Sequence, residues 1–181
     1  CRKMSNWNKI FKPIVVLVII CIVVTGALAA TNGVTAPIIE EAKVAAENAA
    51  RTELLPEAEG AFTPVENVEV ENVSAIYVAD NGAGTIITSS AKGYGGDVVV
   101  MTAFNPDGTI KQIKVTEQAE TKGIGSKVVD TPSYWENYQG LDASQPLVLN
   151  EDVDAVTSAT ISSTALINAV NSAIEAYNAI P

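Results

Sequence analysis

Hydrophobic and polar positions divide the chain into an apolar N-terminal run and a mixed remainder. No charged residue occurs from Pro13 to Ile39, and residues 14–24 read IVVLVIICIVV. A helix that crosses a bilayer needs about 20 apolar residues. The pattern predicts a retained transmembrane helix over residues 13–35. The alternatives are a cleaved signal peptide, whose apolar part is normally shorter, and a buried core helix.

A second helix is expected directly after the span. Pro37 fits the first turn of a new helix, and Glu40 and Glu41 follow where the positive end of the helix dipole favours acidic residues. Alanine- and glutamate-rich sequence continues to Leu55, and Pro56 stops it. We therefore predict a stalk helix over residues 36–56, a domain over residues 57–181, and a loop at its start over residues 57–72.

The pattern within this domain favours strands followed by one long helix. Strands are predicted over residues 75–79, 85–89, 97–104 and 110–117, with turn sequences NGAG at 81–84 and NPDG at 105–108. The run 162–179 has apolar residues at helical spacing, namely Ile167, Val170, Ile174 and Tyr177. The predicted fold class is α+β: an N-terminal transmembrane helix and stalk helix, then an antiparallel sheet packed with a C-terminal helix.

Charge predicts the direction of the anchor. Arg2, Lys3, Lys9 and Lys12 precede the span without an acidic residue among them, and positive flanks stay in the cytoplasm. Residues 1–12 are thus expected to be cytoplasmic, in a single-pass protein of the inner (cytoplasmic) membrane with an extracytoplasmic domain. After Ile39 there are 7 basic and 21 acidic residues, a net charge of −14, which argues against a nucleic-acid partner.

Composition limits the chemistry that the chain performs alone. There is no histidine, and the cysteines are Cys1 and Cys21, so metal sites of imidazole or thiolate and Ser-His-Asp or Cys-His pairs are not expected. The positions of the cysteines do not suggest a disulfide framework. We expect no metal site and no catalytic residue, so redox chemistry would require an organic cofactor or another subunit.

A cluster of hydroxyl groups precedes the last predicted helix. Residues 154–164 read DAVTSATISST, in which Thr157, Ser158, Thr160 and Ser162 carry hydroxyls near a helix N-terminus. Such a site is suited to an anion such as phosphate, although the dipole contributes only about 0.3–1 kcal/mol. The alternative is an ordinary helix cap with extra turn residues.

This segment resembles the flavinylation motif of the FMN-binding domain family, Asp-x-x-Ser/Thr-Gly-Ala-Thr. Asp154, Thr157, Ala159 and Thr160 match it, and Ser158 replaces the usual glycine. A serine there needs a turn that tolerates a Cβ atom. The resemblance extends to NGVTAPI at 32–38, KGYGG at 92–96, NPDG at 105–108, and ETKGIG at 120–125. The last is similar to the family's Glu-Thr-Pro-Gly-x-Gly loop, with Lys122 in place of proline.

The resemblance implies a covalent FMN cofactor. The last threonine of the motif, here Thr160, would be esterified to the FMN phosphate by a separate flavin transferase that uses FAD as donor. Tyr94 is a candidate to stack on the ring or a core residue, and Gly95 permits close approach to the ring or a strand-entry turn. Lys127 is a candidate partner for phosphate or reduced flavin, or an ordinary surface lysine. The remaining candidate cofactor-binding residues are Thr157, Ser158, Ala159, Glu120, Thr121, Gly123 and Gly125.

The resemblance also implies a function. The family includes the G subunit of the Rnf electron-transport complex and the C subunit of the sodium-pumping NADH:quinone reductase. We expect an electron-carrying subunit of a membrane-bound, ion-translocating oxidoreductase of the Rnf type, with integral-membrane and redox subunits as partners. No G-x-G-x-x-G follows a predicted strand, so NADH or ferredoxin oxidation would belong to those partners. The alternatives are the quinone-reductase subunit, a membrane-anchored flavin-binding sensory domain and a pilin-like structural protein.

Overall fold

The structure, a computed structural model, describes residues 11–66 and 68–180. The chain divides into two compact units, Cys1–Ala46 and Glu47–Pro181. Nearly all of the predicted cytoplasmic segment 1–12, including Cys1, lies outside the described residues. Cys21 is described, and its thiol is free and exposed.

Almost all of the described part of the first unit belongs to one long helix, α1, which spans Lys12–Leu54. The apolar side chains of residues 14–20 and 22–24 are exposed. The most apolar stretch of the helix contains no buried residue. By length and composition this helix is able to cross a membrane. The alternative of a buried core helix is therefore wrong, and the helix fits a single-pass membrane anchor.

Helix α1 runs through Pro37 without a break. The prediction that a second helix begins at Pro37 is therefore wrong, because one helix covers both the predicted span and the predicted stalk. Proline lacks an N–H, so the carbonyl of Gly33 loses its intrahelical partner, but that is one bond in a helix of 43 residues. The helix ends at Leu54, and Pro56 opens a short 3₁₀ helix, Pro56–Ala58, close to the predicted end.

The second unit is built on a five-stranded antiparallel sheet in sequence order. Its strands are β1 (Phe62–Pro64), β2 (Val73–Ala79), β3 (Thr85–Lys92), β4 (Asp97–Phe104) and β5 (Ile110–Glu117). The four predicted strands and the meander are confirmed. Strand β1 was missed, because its three residues lie in the predicted loop and are too few to show an alternating pattern.

One face of the sheet is covered by the C-terminal helix. Strand β5 is followed by the short helices α2 (Ser126–Val129) and α3 (Pro132–Trp135) and by a 3₁₀ helix (Glu136–Tyr138). The C-terminal helix, α4, spans Thr160–Ala179. Ile167, Val170 and Ile174 of α4 are buried in one core with the sheet, as predicted. The Ser89 hydroxyl donates a hydrogen bond of 2.7 Å to the Ala169 carbonyl, which holds α4 close to β3.

The other face is covered by the end of α1 within the second unit. Leu54 and Leu55 pack in a second core with Ile86 and Met101. Arg51 is buried and lies 4.0 Å from the centroid of the Tyr77 ring. The side chain of β5 residue Gln112 donates to the carbonyls of Glu53 and Leu54 at 3.2 Å, while Lys111 pairs with Glu57 and Lys114 with Glu53.

Tyr138 provides a test of the core between the sheet and α4. Its side chain is fully buried, and its hydroxyl has no hydrogen-bond partner in the described part of the chain. A buried hydroxyl without a partner costs free energy, so Tyr138→Phe is expected to leave the free energy of unfolding unchanged or raise it by about 1 kcal/mol. Chemical denaturation of the full-length protein in detergent measures this change.

The matched control is Tyr177→Phe, because the Tyr177 hydroxyl donates to the Asn105 carbonyl at 3.2 Å. That variant should lose about 1 kcal/mol. Burial raises the pKa of Tyr138, so the folded state resists ionisation and loses stability as the pH rises above about 10. Tyr138→Phe should lose stability less steeply there. A Tyr138→Phe protein less stable than Tyr177→Phe would contradict this account of the core.

Candidate functional site

A cavity of about 560 Å³ lies in the second unit between the loop after β5 and the start of α4. Its volume falls in the range of about 300–1,000 Å³ typical of small-molecule sites. Three segments that are far apart in sequence meet here: the turn between β3 and β4, residues 120–125, and residues 158–162. The lining residues are Tyr94, Glu120, Thr121, Ile124, Gly125, Ser158, Ala159, Thr160, Ile161 and Ser162.

The start of α4 presents backbone donors to the cavity. Thr160 is the first helical residue, and its N-cap, Ala159, makes no side-chain capping bond. The first intrahelical bond runs from the Ser163 N–H to the Ala159 carbonyl at 2.9 Å. The N–H groups of residues 160–162 therefore precede the first intrahelical donor. This arrangement is suited to an anion, because both these donors and the helix dipole favour negative charge.

The hydroxyl cluster separates into engaged and exposed side chains. The three hydroxyls after Thr160 are engaged within the protein: Ser162 donates to Glu120, Ser163 accepts from the Val156 N–H, and Thr164 donates to the Thr160 carbonyl. Thr157, Ser158 and Thr160 are exposed. Only Ser158 and Thr160 of this exposed group line the cavity, and Thr160 alone of these two is in the helix.

The turn before α4 holds Ser158 in a backbone conformation that favours glycine. Its φ is 71°, in the left-handed region. A non-glycine residue in this region costs roughly 1–2 kcal/mol. Glycine avoids this cost, but it also raises the conformational entropy of the unfolded chain, which offsets part of the gain in stability. Glycine adopts this conformation without strain, which agrees with the glycine at this position of the motif that the segment resembles.

Ser158→Gly is therefore expected to stabilise the protein by about 0.5–1 kcal/mol, as measured by chemical denaturation. Thr157→Gly is the matched control, since Thr157 is the exposed neighbour and is not among the described residues with positive φ. That variant should be neutral or destabilising, because it adds backbone entropy to the unfolded chain without relieving strain. Equal effects of the two substitutions would show that the turn is not strained.

Glu120 forms one wall of the cavity and is buried, with 8% of its surface exposed. Both carboxylate oxygens accept a hydrogen bond: Oε1 from the Gly95 N–H at 3.0 Å, and Oε2 from the Ser162 hydroxyl at 2.5 Å. The carboxylate thereby joins the turn between β3 and β4 to the first turn of α4.

The glycines around Glu120 make room for it. A Cβ atom on Gly93 would lie 2.3 Å from Glu120 Oε1, and one on Gly125 would lie 2.3 Å from Oε2. A Cβ on Gly95 would lie 2.0 Å from the Ala119 carbonyl oxygen. In the structure, Gly93 and Gly95 therefore admit the backbone and side chain of residues 119–120, a role that the sequence did not indicate.

Exposed apolar side chains surround the cavity. In the described part of the second unit, the large hydrophobic residues classed as exposed are Tyr94, Ile124, Val148 and Ile161. Three of these four line the cavity, with exposures of 73% for Tyr94, 51% for Ile124 and 56% for Ile161. Apolar side chains that remain exposed together around a concave site are suited to cover a flat aromatic ligand.

The structure brings most, but not all, of the predicted site residues together. Those that line the cavity are Tyr94, Glu120, Thr121, Gly125, Ser158, Ala159 and Thr160. Those outside the lining are Gly95, Gly123, Lys127 and Thr157. Lys127 is exposed, as expected of an ordinary surface lysine, and Gly123 has a φ of 82° in its turn.

Sequence reasoning missed two lining residues and undervalued a third. Ile124 and Ile161 were not predicted, and Ser162 was noted only as one of the hydroxyl cluster. Ile161 offered a signal, because it lies outside the apolar stripe of α4 that packs on the sheet. Two aromatic side chains outside the lining are hydrogen-bonded within the protein: the Tyr134 hydroxyl donates to the Asp154 carbonyl, and the Trp135 indole N–H donates to the Val128 carbonyl, each at 2.8 Å.

These residues fit the chemical parts of FMN. The start of α4 offers backbone donors and a hydroxyl for a phosphate, and the exposed apolar side chains offer surface for a flat ring. The sequence model of the FMN-binding domain family matches residues 93–175, which include every lining residue. Fold, cavity and sequence together define the class of protein as FMN-binding.

Comparison with individual proteins gives a narrower assignment. The chain is 31% identical to the G subunit of the Na⁺-translocating ferredoxin:NAD⁺ oxidoreductase complex of Acetobacterium woodii, over 95% of this chain and 93% of that protein. It is 28% identical to the G subunit of the ion-translocating oxidoreductase complex of Methanosarcina acetivorans, over 97% and 98%. The chain therefore belongs to the FMN-binding domain family, together with these G subunits. The crystal structure of Shewanella oneidensis NqrC aligns over 58% of each chain, with 25% identity and a TM-score of 0.48.

Proposed function

We propose that this protein is an electron-carrying subunit of a membrane-bound, ion-translocating oxidoreductase complex of the Rnf type, and that it holds FMN as a phosphoester of Thr160. The observation that carries the proposal is the position of Thr160, an exposed hydroxyl on the first residue of α4 that lines the cavity within the FMN-binding region. FMN, once bound, transfers electrons, and the protein holds it in place and tunes its potential.

The attachment to Thr160 is supported by the surroundings of its hydroxyl. The backbone donors at the start of α4 are suited to the charge of a phosphate, and the neighbouring hydroxyls of Ser162, Ser163 and Thr164 are engaged within the protein. The dipole alone orients a phosphate only weakly, so a covalent bond adds retention that the helix cannot give. A separate flavin transferase would form this bond from FAD: the Thr160 hydroxyl oxygen would bond to the FMN phosphorus, the pyrophosphate bond of FAD would break, and AMP would leave.

The remaining cavity residues have roles toward the ring and ribityl chain. Tyr94, Ile124 and Ile161 offer the apolar surface against which an aromatic ring packs. The Thr121 side chain is exposed in the lining, where its hydroxyl is suited to bind polar groups of the cofactor. Gly123 and Gly125 shape the loop that carries Ile124, and Ser158 and Ala159 form the turn that leads to Thr160. Thr157, Gly95 and Lys127 have no direct role toward the cofactor in this proposal, since they lie outside the lining.

The anchor and the sequence relatives support the membrane setting. The relatives are named as G subunits of ion-translocating complexes, so we assign this chain the same place, in preference to the C subunit of a sodium-pumping NADH:quinone reductase. The basic residues before the span favour an N-terminus in the cytoplasm and an FMN domain outside it. Oxidation of ferredoxin or NADH then belongs to partner subunits, and this chain is not catalytic alone.

Reversible reduction of the bound flavin tests the carrier role. The full chain is produced with a flavin transferase, purified in detergent, and followed by absorbance during reduction with dithionite and reoxidation in air. We expect complete, repeatable bleaching and recovery, and co-purification of the other complex subunits from a host that makes them. A flavin that is bound but shows no reversible reduction would favour the sensory-domain alternative.

A further inference from the structure

Glu120 is the only charged side chain among the described residues that line the cavity. The other lining residues are small, hydroxyl-bearing or apolar, and no lysine or arginine is among them. The carboxylate is also buried, so bulk salt and water screen it less than they screen the many acidic side chains on the surface.

The protein holds this carboxylate in one place with neutral partners. Its oxygens accept from the Gly95 N–H and the Ser162 hydroxyl, neither of which cancels its charge. Gly93 and Gly125 lack the Cβ atoms that would collide with its two oxygens. A fixed negative charge therefore lies in the wall of the cavity, which Thr160 also lines.

We propose that Glu120 lowers the reduction potential of the cofactor, an inference that rests on the proposed binding of FMN at Thr160. In this step one electron passes from the donor to the bound cofactor without a proton, so the donor is oxidised, the charge of the cofactor becomes more negative by one, and the carboxylate neither gains nor loses electrons. Electrons that arrive beside a fixed negative charge are repelled, so the carboxylate disfavours the reduced cofactor. Glu120 thus acts as a tuning residue that makes the bound flavin a stronger reductant.

The test is the midpoint potential of the Glu120→Gln protein. The side-chain amide has nearly the same shape and still offers one oxygen as an acceptor, but it carries no charge. Spectroelectrochemical titration of the flavin-loaded, full-length protein at neutral pH should give a more positive potential than in the wild type. We expect a change of about tenfold in the equilibrium constant for one-electron reduction, equivalent to about 59 mV.

Two further variants separate charge from other effects. Glu175→Gln removes the same charge from an exposed position of α4 outside the cavity, and its potential should equal that of the wild type. Glu120→Ala removes the charge without adding an amide donor, and its potential should rise as in Glu120→Gln. Thermal unfolding of each protein before flavin loading shows whether the variant is folded.

The outcomes distinguish this inference from the proposed function. If the wild type itself holds no flavin, the proposed function fails. If the wild type and the Glu120 variants all carry flavin at the same potential, the proposed function stands and the role of Glu120 as a tuning residue is overturned. If both Glu120 variants fold but do not load flavin, or neither folds, Glu120 serves to assemble the cavity, and the tuning role is likewise overturned.

Discussion

Thr160→Ala should abolish flavin fluorescence from the denatured protein band, whereas the wild type made with a flavin transferase remains fluorescent after denaturation. The reason is that the proposed phosphoester to Thr160 would survive unfolding, whereas a flavin held only by contacts in the cavity would be released. Because Thr160 is exposed at the first position of α4, its removal should alter the free energy of unfolding by less than about 0.5 kcal/mol. The measurement is in-gel fluorescence normalised to the amount of protein.

Neighbouring hydroxyls provide the controls for this loss. Thr157→Ala and Ser158→Ala remove exposed hydroxyls within three residues of Thr160 and should leave the fluorescent band. Thr160→Ser keeps a hydroxyl at the same position and should restore at least part of the signal. A Thr160→Ala band as bright as that of the wild type, or a dark Thr157→Ala band, would show that the acceptor is another residue.

Gly95→Ala should give the largest loss of stability among single substitutions near the cavity. An added Cβ would lie 2.0 Å from the Ala119 carbonyl oxygen, a distance that forces the turn between β3 and β4 away from the segment that leads to Glu120. Backbone atoms move less easily than the end of a flexible side chain. We expect a decrease in the free energy of unfolding of about 3 kcal/mol, measured by urea denaturation.

Gly96→Ala is the matched control in the same turn. Its added Cβ would lie 3.1 Å from the Ala119 Cβ, a contact that a small shift relieves. This variant should lose less than about 1 kcal/mol. Equal losses in the two variants would mean that the turn is sensitive to any side chain, and that the close approach of Ala119 is not the cause.

Much of the fold was predictable because its strands and last helix carry regular patterns. Four strands and α4 were identified from turn sequences and from the spacing of Ile167, Val170 and Ile174, which the structure buries against the sheet. The prediction of a helix boundary at Pro37 failed, because a proline removes one hydrogen bond but does not require a long helix to end. Strand β1 carries too few residues for any periodicity to show.

The candidate site was predictable where the chemistry lies in one short segment. The hydroxyl cluster indicated the start of α4, and the family motif selected Thr160 from it. The pairing of Glu120 with Ser162 joins residues 42 positions apart, and no local pattern indicates such a contact. Gly95 was predicted to permit close approach to the ring or to form a strand-entry turn, and no local pattern could show that Ala119 and Glu120 approach the glycines of this turn.

Strand β1 has a consequence for self-association. It forms one edge of the sheet, contains only three residues, and ends in Pro64, which has no N–H to offer a further strand. Long open edges are the usual templates for fibrils and domain-swapped dimers, and a brief edge that ends in proline is a poor template. The domain is thus protected on this side against extension of its sheet by a second copy.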